Sequence, residues 1–176
     1  MEITKTDKNA FIITSRALTL AINSSDAKAE VLLFSDKNTD ELKNTEAKVF
    51  DSAGEYEVKK CMIDAVQLEE EVGFTVLIEG IQLAYLGDIK QVLTDKQVEV
   101  FAAVDVLILP IVGDKAEITT KLIGQIEPSI VIPHSYTEDM IDVFGKEFGS
   151  DIEKTSKLKI NKKDISETDK QKLVIL

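Results

Sequence analysis

One cysteine, one histidine and one arginine are all that this 176-residue chain holds of the residue types that build many metal, redox and phosphate sites. Cys61 alone can form no intramolecular disulfide and no multi-cysteine zinc or iron–sulfur site. His134 alone leaves a Ser/His/Asp triad a single possible base and excludes any centre built from several imidazoles. With Arg16 as the only guanidinium, the bidentate forks that grip phosphates and base edges are nearly missing. Positive charge is scarce as well: 21 Lys and Arg against 32 Asp and Glu leave a net charge of −11, which disfavours nucleic acid and anionic membrane as partners. No run approaches the ~18 apolar residues of a membrane span. The opening MEITKTDK has no apolar leader core. A cytoplasmic protein is expected, and the lone thiol suits a reducing compartment. Internal repeats, low-complexity tracts and linkers are also missing.

What is present is enough apolar material, 44% of the chain, for one compact core, so residues 1–176 are expected to form a single domain. Short alternating runs fill the first half. Leu18, Leu20 and Ile22 mark one strand and Phe74, Val76 and Ile78 another, with more strand material over 29–34 and 56–68. Glu79-Gly80 lies between two such runs, as a hairpin turn would. This half reads as antiparallel sheet. After Asp88 the texture changes. Thr94 and Gln97 stand at capping-box spacing ahead of a helix, and DVLILP over 105–110 is a strand buried on both faces. Ile118, Leu122 and Ile126 give a second helix, SIVIP over 129–133 another buried strand, and Thr137 or Asp139 caps a third helix carrying Met140, Phe144 and Phe148. Helices outside packed mixed sheets are expected. The polar, lysine-rich stretches 36–47 and 157–172 read as solvated loops.

Several of these segments, taken in order, resemble the metallo-β-lactamase-fold superfamily, and within it the small stand-alone Zn-dependent-hydrolase-like proteins. Val31-Leu32-Leu33-Phe34 with its polar loop is similar to the strand leading into that family's metal loop, and Gly54-Glu55-Tyr56-Glu57-Val58 to its Gly-Glu-Tyr-Glu segment. Leu86-Gly87-Asp88 resembles its Leu-Gly-Asp strand end. Residues 104–110 and 126–133 resemble its later strands, and 157–160 with 173–176 its closing segment. The resemblance implies an αββα sandwich, two packed mixed sheets with helices outside and the site at one edge.

The same resemblance implies one or two metal ions held by a His-x-His-x-Asp-His loop, an Asp after the Leu-Gly strand and a His after the last buried strand. This chain departs from that pattern. The ungapped match sets Asp36, Asn38, Asp40 and Glu41 in the loop, so that only the aspartate, at position 40, is kept. Pro133-His134-Ser135-Tyr136 stands where Pro-x-His-Tyr is expected, leaving Ser135 at the ligand position and His134 one place early, on the opposite face of an extended strand. Of the family's ligands, Asp40 and Asp88 remain. His134 and Ser135 are a vestige of the site.

Zinc at neutral pH is held largely by neutral imidazole or thiolate, and its chemistry lies in lowering the pKa of bound water from ~15.7 to ~7. A chain without that donor set is expected to be catalytically degenerate, with no cofactor, and to act as a binding or interaction module for a small molecule or protein. The alternative is an ester or phosphoester hydrolase with a hard ion, Mg²⁺, Mn²⁺ or Ca²⁺, held by Asp40 and Asp88 with Asp36, Asn38 or Glu41. The loop opens like an EF-hand but has no Gly after Asp40, and it has Ala47 where a glutamate would close it. A third possibility is a homo-oligomer that buries an apolar patch. As a nucleophile Ser135 needs an adjacent base, and His134 points away from it if the segment is extended. Cys61 reads as a small buried hydrophobe.

Overall fold

In the computed structural model, which describes residues 1–26, 28–36, 46–112, 116–149, 152–166 and 171–176, two mixed sheets pack face to face. The chain begins with β1 (Glu2–Asp7), β2 (Ala10–Thr14), β3 (Thr19–Ile22), β4 (Val31–Leu33) and β5 (Lys48–Phe50). It continues with β6 (Gly54–Val58), β7 (Cys61–Leu68), β8 (Glu71–Ile78) and β9 (Ile81–Tyr85). Helices and strands then alternate: α1 (Asp95–Val100), β10 (Val106–Pro110), α2 (Glu117–Ile126), β11 (Ile130–His134) and α3 (Glu138–Phe148). The closing elements are β12 (Ile152–Lys154), β13 (Leu158–Lys159), α4 (Lys162–Ser166) and β14 (Lys172–Ile175). One sheet runs β13-β1-β2-β3-β4-β5 and the other β12-β14-β11-β10-β9-β8-β7-β6.

The expected strands and helices are found, with local causes that can be named. Glu79 and Gly80 both turn at positive φ, 53° and 77°, as a tight hairpin requires. Thr94 and Gln97 form a full capping box on α1, and Thr137 caps α3. β10 and β11 are buried at every residue, which explains their unbroken apolar sequence.

Three expectations need correction. The first half is not wholly antiparallel, because β3, β4 and β5 pair in parallel across the chain that separates them. The material over 56–68 is two strands, split by a turn in which Lys59 and Lys60 take φ of 50° and 66°. Neither lysine is a turn-forming residue, so composition hid the turn. The stretch 157–172 is not a plain loop: Leu158 is buried as part of β13, and Ile165 of α4 reaches the core. Most of the other polar stretch, 36–47, lies outside the described residues.

Between the sheets lies the main core, with Ile3, Phe11, Ile13, Leu20 and Ile22 of the first sheet facing Phe74, Val76, Leu83, Tyr85, Ile108 and Ile132 of the second. A second core fills the outer face of the second sheet beneath the helices, through Phe101, Leu107, Leu122, Val131 and Phe144. Burying side chains of this size stabilises by about 1.5–3 kcal/mol each. Cys61 is fully buried in the main core, and burial pushes its thiol up to about 11, so it is the inert hydrophobe expected. No described helix is long and apolar enough to cross a membrane.

Candidate functional site at the edge of the sheets

The parallel strands β9, β10 and β11 all end at one edge of the sandwich, and in open α/β sheets ligands favour such carboxyl ends. Two loops of the first sheet meet them there. Asn23, just past β3, has φ 49°, a conformation that asparagine tolerates better than most residues. Its amide donates to Tyr85 Oη at 2.8 Å and to Ser35 Oγ at 3.0 Å, while its Oδ1 accepts from the Ser35 N–H at 2.9 Å. Tyr85 Oη in turn donates to the Asn9 carbonyl at 3.1 Å, and the Ser35 carbonyl accepts from the Val72 N–H at 2.8 Å. Side chains of both sheets are thereby tied into one network. Burial first, and then the charges of Asp88 and Glu71, raise the Tyr85 pKa well beyond the ordinary phenol value, so it stays a neutral donor.

Gly87 turns the chain out of β9 at φ 59°, with the Glu71 carboxylate pressed against the place where a Cβ would stand. Glu71 Oε2 accepts from the Asp88 N–H at 2.8 Å. The Asp88 side chain, 47% exposed, is thus held by its own backbone and presented to solvent.

His134 ends β11 and is fully buried. Its ring stacks on Tyr85, with centroids 5.3 Å apart and planes 15° apart, and takes an edge contact from Phe11 at 6.1 Å. The next residue decides the chemistry. Ser135 takes φ 53°, a strained left-handed conformation for a non-glycine residue, and this folds its hydroxyl back beside its neighbour. The Ser135 Oγ lies 2.9 Å from His134 Nδ1 and donates to Asp88 Oδ1 at 3.2 Å. The expectation that His134 points away from Ser135 is therefore corrected, because the segment is not extended at the serine.

A hydroxyl has one proton, and a carboxylate only accepts, so the proton of Ser135 lies toward Asp88 and Nδ1 carries the hydrogen donated to the serine. The imidazole is then the neutral Nδ1–H tautomer, and Nε2, which holds a lone pair, has no hydrogen-bond partner among the described residues. Burial above all, then the nearby charge of Lys5, pushes the His134 pKa down to about 3; a hydrogen bond to the Gly87 backbone opposes them, and Lys8 adds a smaller push downward. This order of donors is the reverse of a nucleophilic triad, in which the serine donates to the imidazole.

Of the residues singled out in the sequence, Asp88, Ser135 and His134 come together. Asp36 is exposed beside Ser35, and Asn38, Asp40 and Glu41 lie outside the described residues. Asn23, Ser35, Glu71, Tyr85 and Lys5 were not singled out; the first two stand just after strands, where a lone polar residue could have marked them. Among the described residues, the set at this edge does not suit zinc. Asp88 Oδ1 is engaged by a hydroxyl, the only imidazole is locked inside the core, and the only thiol is buried in β7. No three His, Cys, Asp or Glu side chains converge on one point among the described residues.

Residues 2–135 match the family model of the β-lactamase superfamily domain. No curated protein matches the chain. In structure it is similar to a candidate Zn-dependent hydrolase of the metallo-β-lactamase superfamily from Thermotoga maritima, with 26% identity, TM-score 0.83, and 99% and 98% of the two chains covered. It also shares a fold with the metallo-β-lactamase fold protein YhfI of Bacillus subtilis, at 9% identity and TM-score 0.64 over 99% and 95%. Human tRNase Z, short form, has the fold too, at 10% identity and TM-score 0.59 over 79% and 94%. With a matching family model over most of its length and an α/β sandwich of two packed mixed sheets to go with it, the chain belongs to the metallo-β-lactamase superfamily.

Proposed function

We propose that this protein is a metallo-β-lactamase-fold protein that does not use zinc, and that its former metal edge serves as a binding site for a small molecule or a protein segment in the cytoplasm. The observation that carries this reading is the Asp88–Ser135–His134 chain. A serine stands at the position that in the family resemblance belongs to a ligating histidine, and its hydroxyl donates to Asp88 Oδ1. The remaining imidazole is directed into the core, with its Nδ1 spent on that serine. Among the described residues, no three His, Cys, Asp or Glu side chains at this edge converge on one point, and neither an imidazole nor a thiolate faces it, which is the donor set that zinc-activated hydroxide needs. The partly exposed carboxylate of Asp88 is suited to taking a hydrogen-bond donor of a ligand.

A second reading keeps hydrolysis with a hard ion on oxygen donors, Asp88 together with Asp40 and one or more of Asp36, Asn38 and Glu41. The exposed carboxylate of Asp88 favours it. Thermal unfolding in Zn²⁺, Mg²⁺, Mn²⁺ and Ca²⁺ separates the two. An ion at a hundred times its Kd stabilises by ~2.7 kcal/mol through mass action. The expected result is no specific stabilisation by any of them. Stabilisation by Mg²⁺, Mn²⁺ or Ca²⁺ that Asp88→Asn abolishes would establish the hard-ion enzyme, and the same result with Zn²⁺ would overturn the proposal.

A further inference from the structure

Lys5 occupies a position that strand geometry normally gives to an apolar side chain. It pairs directly across from Phe11, which is fully buried between the sheets, and cross-strand partners share a face. Ile3, two residues earlier on β1, is fully buried on that same face. Lys5 thus points inward where the sandwich opens, and it is half-buried there. Its Nζ sits over the ring of Tyr136, 4.5 Å from the centroid. Lys5 makes no salt bridge among the described residues, whereas Lys59, Lys157, Lys159, Lys162 and Lys172 each have a carboxylate partner. An inward-facing ammonium, half withdrawn from water and served only by an aromatic face, is left without a counter-charge.

We propose that Lys5 is the ligand-gripping cation of this edge and that it takes an anionic group, a carboxylate or a phosphate, of a small ligand lying between Tyr136 and Ser135. The inference rests on the binding-site reading above and names the ligand class. Lys8, on the turn that follows β1, adds a second positive charge close to His134. Its carbonyl accepts from the Ser135 N–H at 3.3 Å, so the turn and the serine form one wall. Burial holds the Lys5 pKa below the usual lysine value. An incoming anion relieves that penalty by supplying the missing counter-charge.

The test is an NMR titration of protein first passed over a chelating resin, at constant ionic strength, with inorganic phosphate in one arm, acetate in a second and chloride in a third. Saturable shifts at Lys5, Ser135 and Tyr136 are expected with phosphate or acetate, and the arm that gives them identifies the anion. Lys5→Met is expected to weaken binding at least tenfold, Lys5→Arg to retain most of it, and Lys121→Met on α2 to match the wild type. Shifts that never saturate, or equal affinity in Lys5→Met and wild type, would overturn the proposal while leaving the zinc-free reading intact. Saturable binding that disappears only when the resin step is included would implicate a metal, and would sink both.

Discussion

The imidazole of His134 lies nearly flat on the phenol of Tyr85, planes 15° apart, and only one of its two nitrogens has a hydrogen-bond partner among the described residues. That arrangement makes the ring a structural member of the core, and it has a consequence for acid stability. The His134 pKa falls from the ordinary histidine value of 6.5 to about 3 in the fold, so below pH 6.5 the unfolded chain binds a proton that the folded chain refuses. Stability is therefore complete above that pH and is lost progressively as pH falls toward 3. Between pH 6.5 and 4.5 the loss from this group is about 2–3 kcal/mol. Urea midpoints at the two pH values check it: His134→Phe should show a fall smaller by that amount, and equal falls would show that the ring titrates normally.

Tyr85 and Asn23 form the clasp between the sheets. Tyr85→Phe removes the acceptor of the Asn23 amide and the donor to the Asn9 carbonyl, at a cost of about 1–3 kcal/mol. Asn23→Ala loses the bonds to Tyr85 and Ser35 and keeps a left-handed φ. The double variant should fall short of the sum of the two, because both remove the same bond. Chemical denaturation of the four proteins measures the coupling.

At Ser135 two effects can be separated by the choice of replacement. Ser135→Ala deletes the hydroxyl that joins His134 to Asp88 and leaves a Cβ at φ 53°. Ser135→Gly deletes it and relieves the backbone as well. The glycine variant should be the more stable of the two by about 1 kcal/mol. A glycine variant no more stable than the alanine one would mean that the strain is not real.

The turn between β6 and β7 places Lys59 and Lys60 both at positive φ. Lys59 also pairs with Glu30, so it is better left in place. Lys60→Gly is expected to raise stability by about 0.5–1 kcal/mol, since type I′ turns favour glycine at this place. Thermal unfolding of the single variant is sufficient to see it.

How far the sequence carried these conclusions depends on how local each cause is. β10 and β11 were legible as unbroken apolar runs, the caps of α1 and α3 as single residues at fixed spacing, and the Glu79-Gly80 turn as a dipeptide. The parallel pairing of β3 with β4 was not, because a ladder between distant segments leaves no mark in either one. Asp88 and Ser135 were found through resemblance to a family motif. Their partnership with His134 was misjudged, because it depends on one backbone angle at Ser135 that no residue type announces. Tyr85 and Lys5 were missed for the opposite reason. Each sits in a strand of ordinary pattern, and what sets it apart is the residue facing it from the other sheet or the neighbouring strand.

The claim beneath all of this is that the edge bearing Asp88, Ser135 and His134 does not hold a transition metal. Elemental analysis of the protein purified without chelator, scaled to protein concentration, tests it most directly. The account predicts zinc, iron and manganese each far below one equivalent; one or two equivalents of zinc, lost on Asp88→Asn, would contradict it.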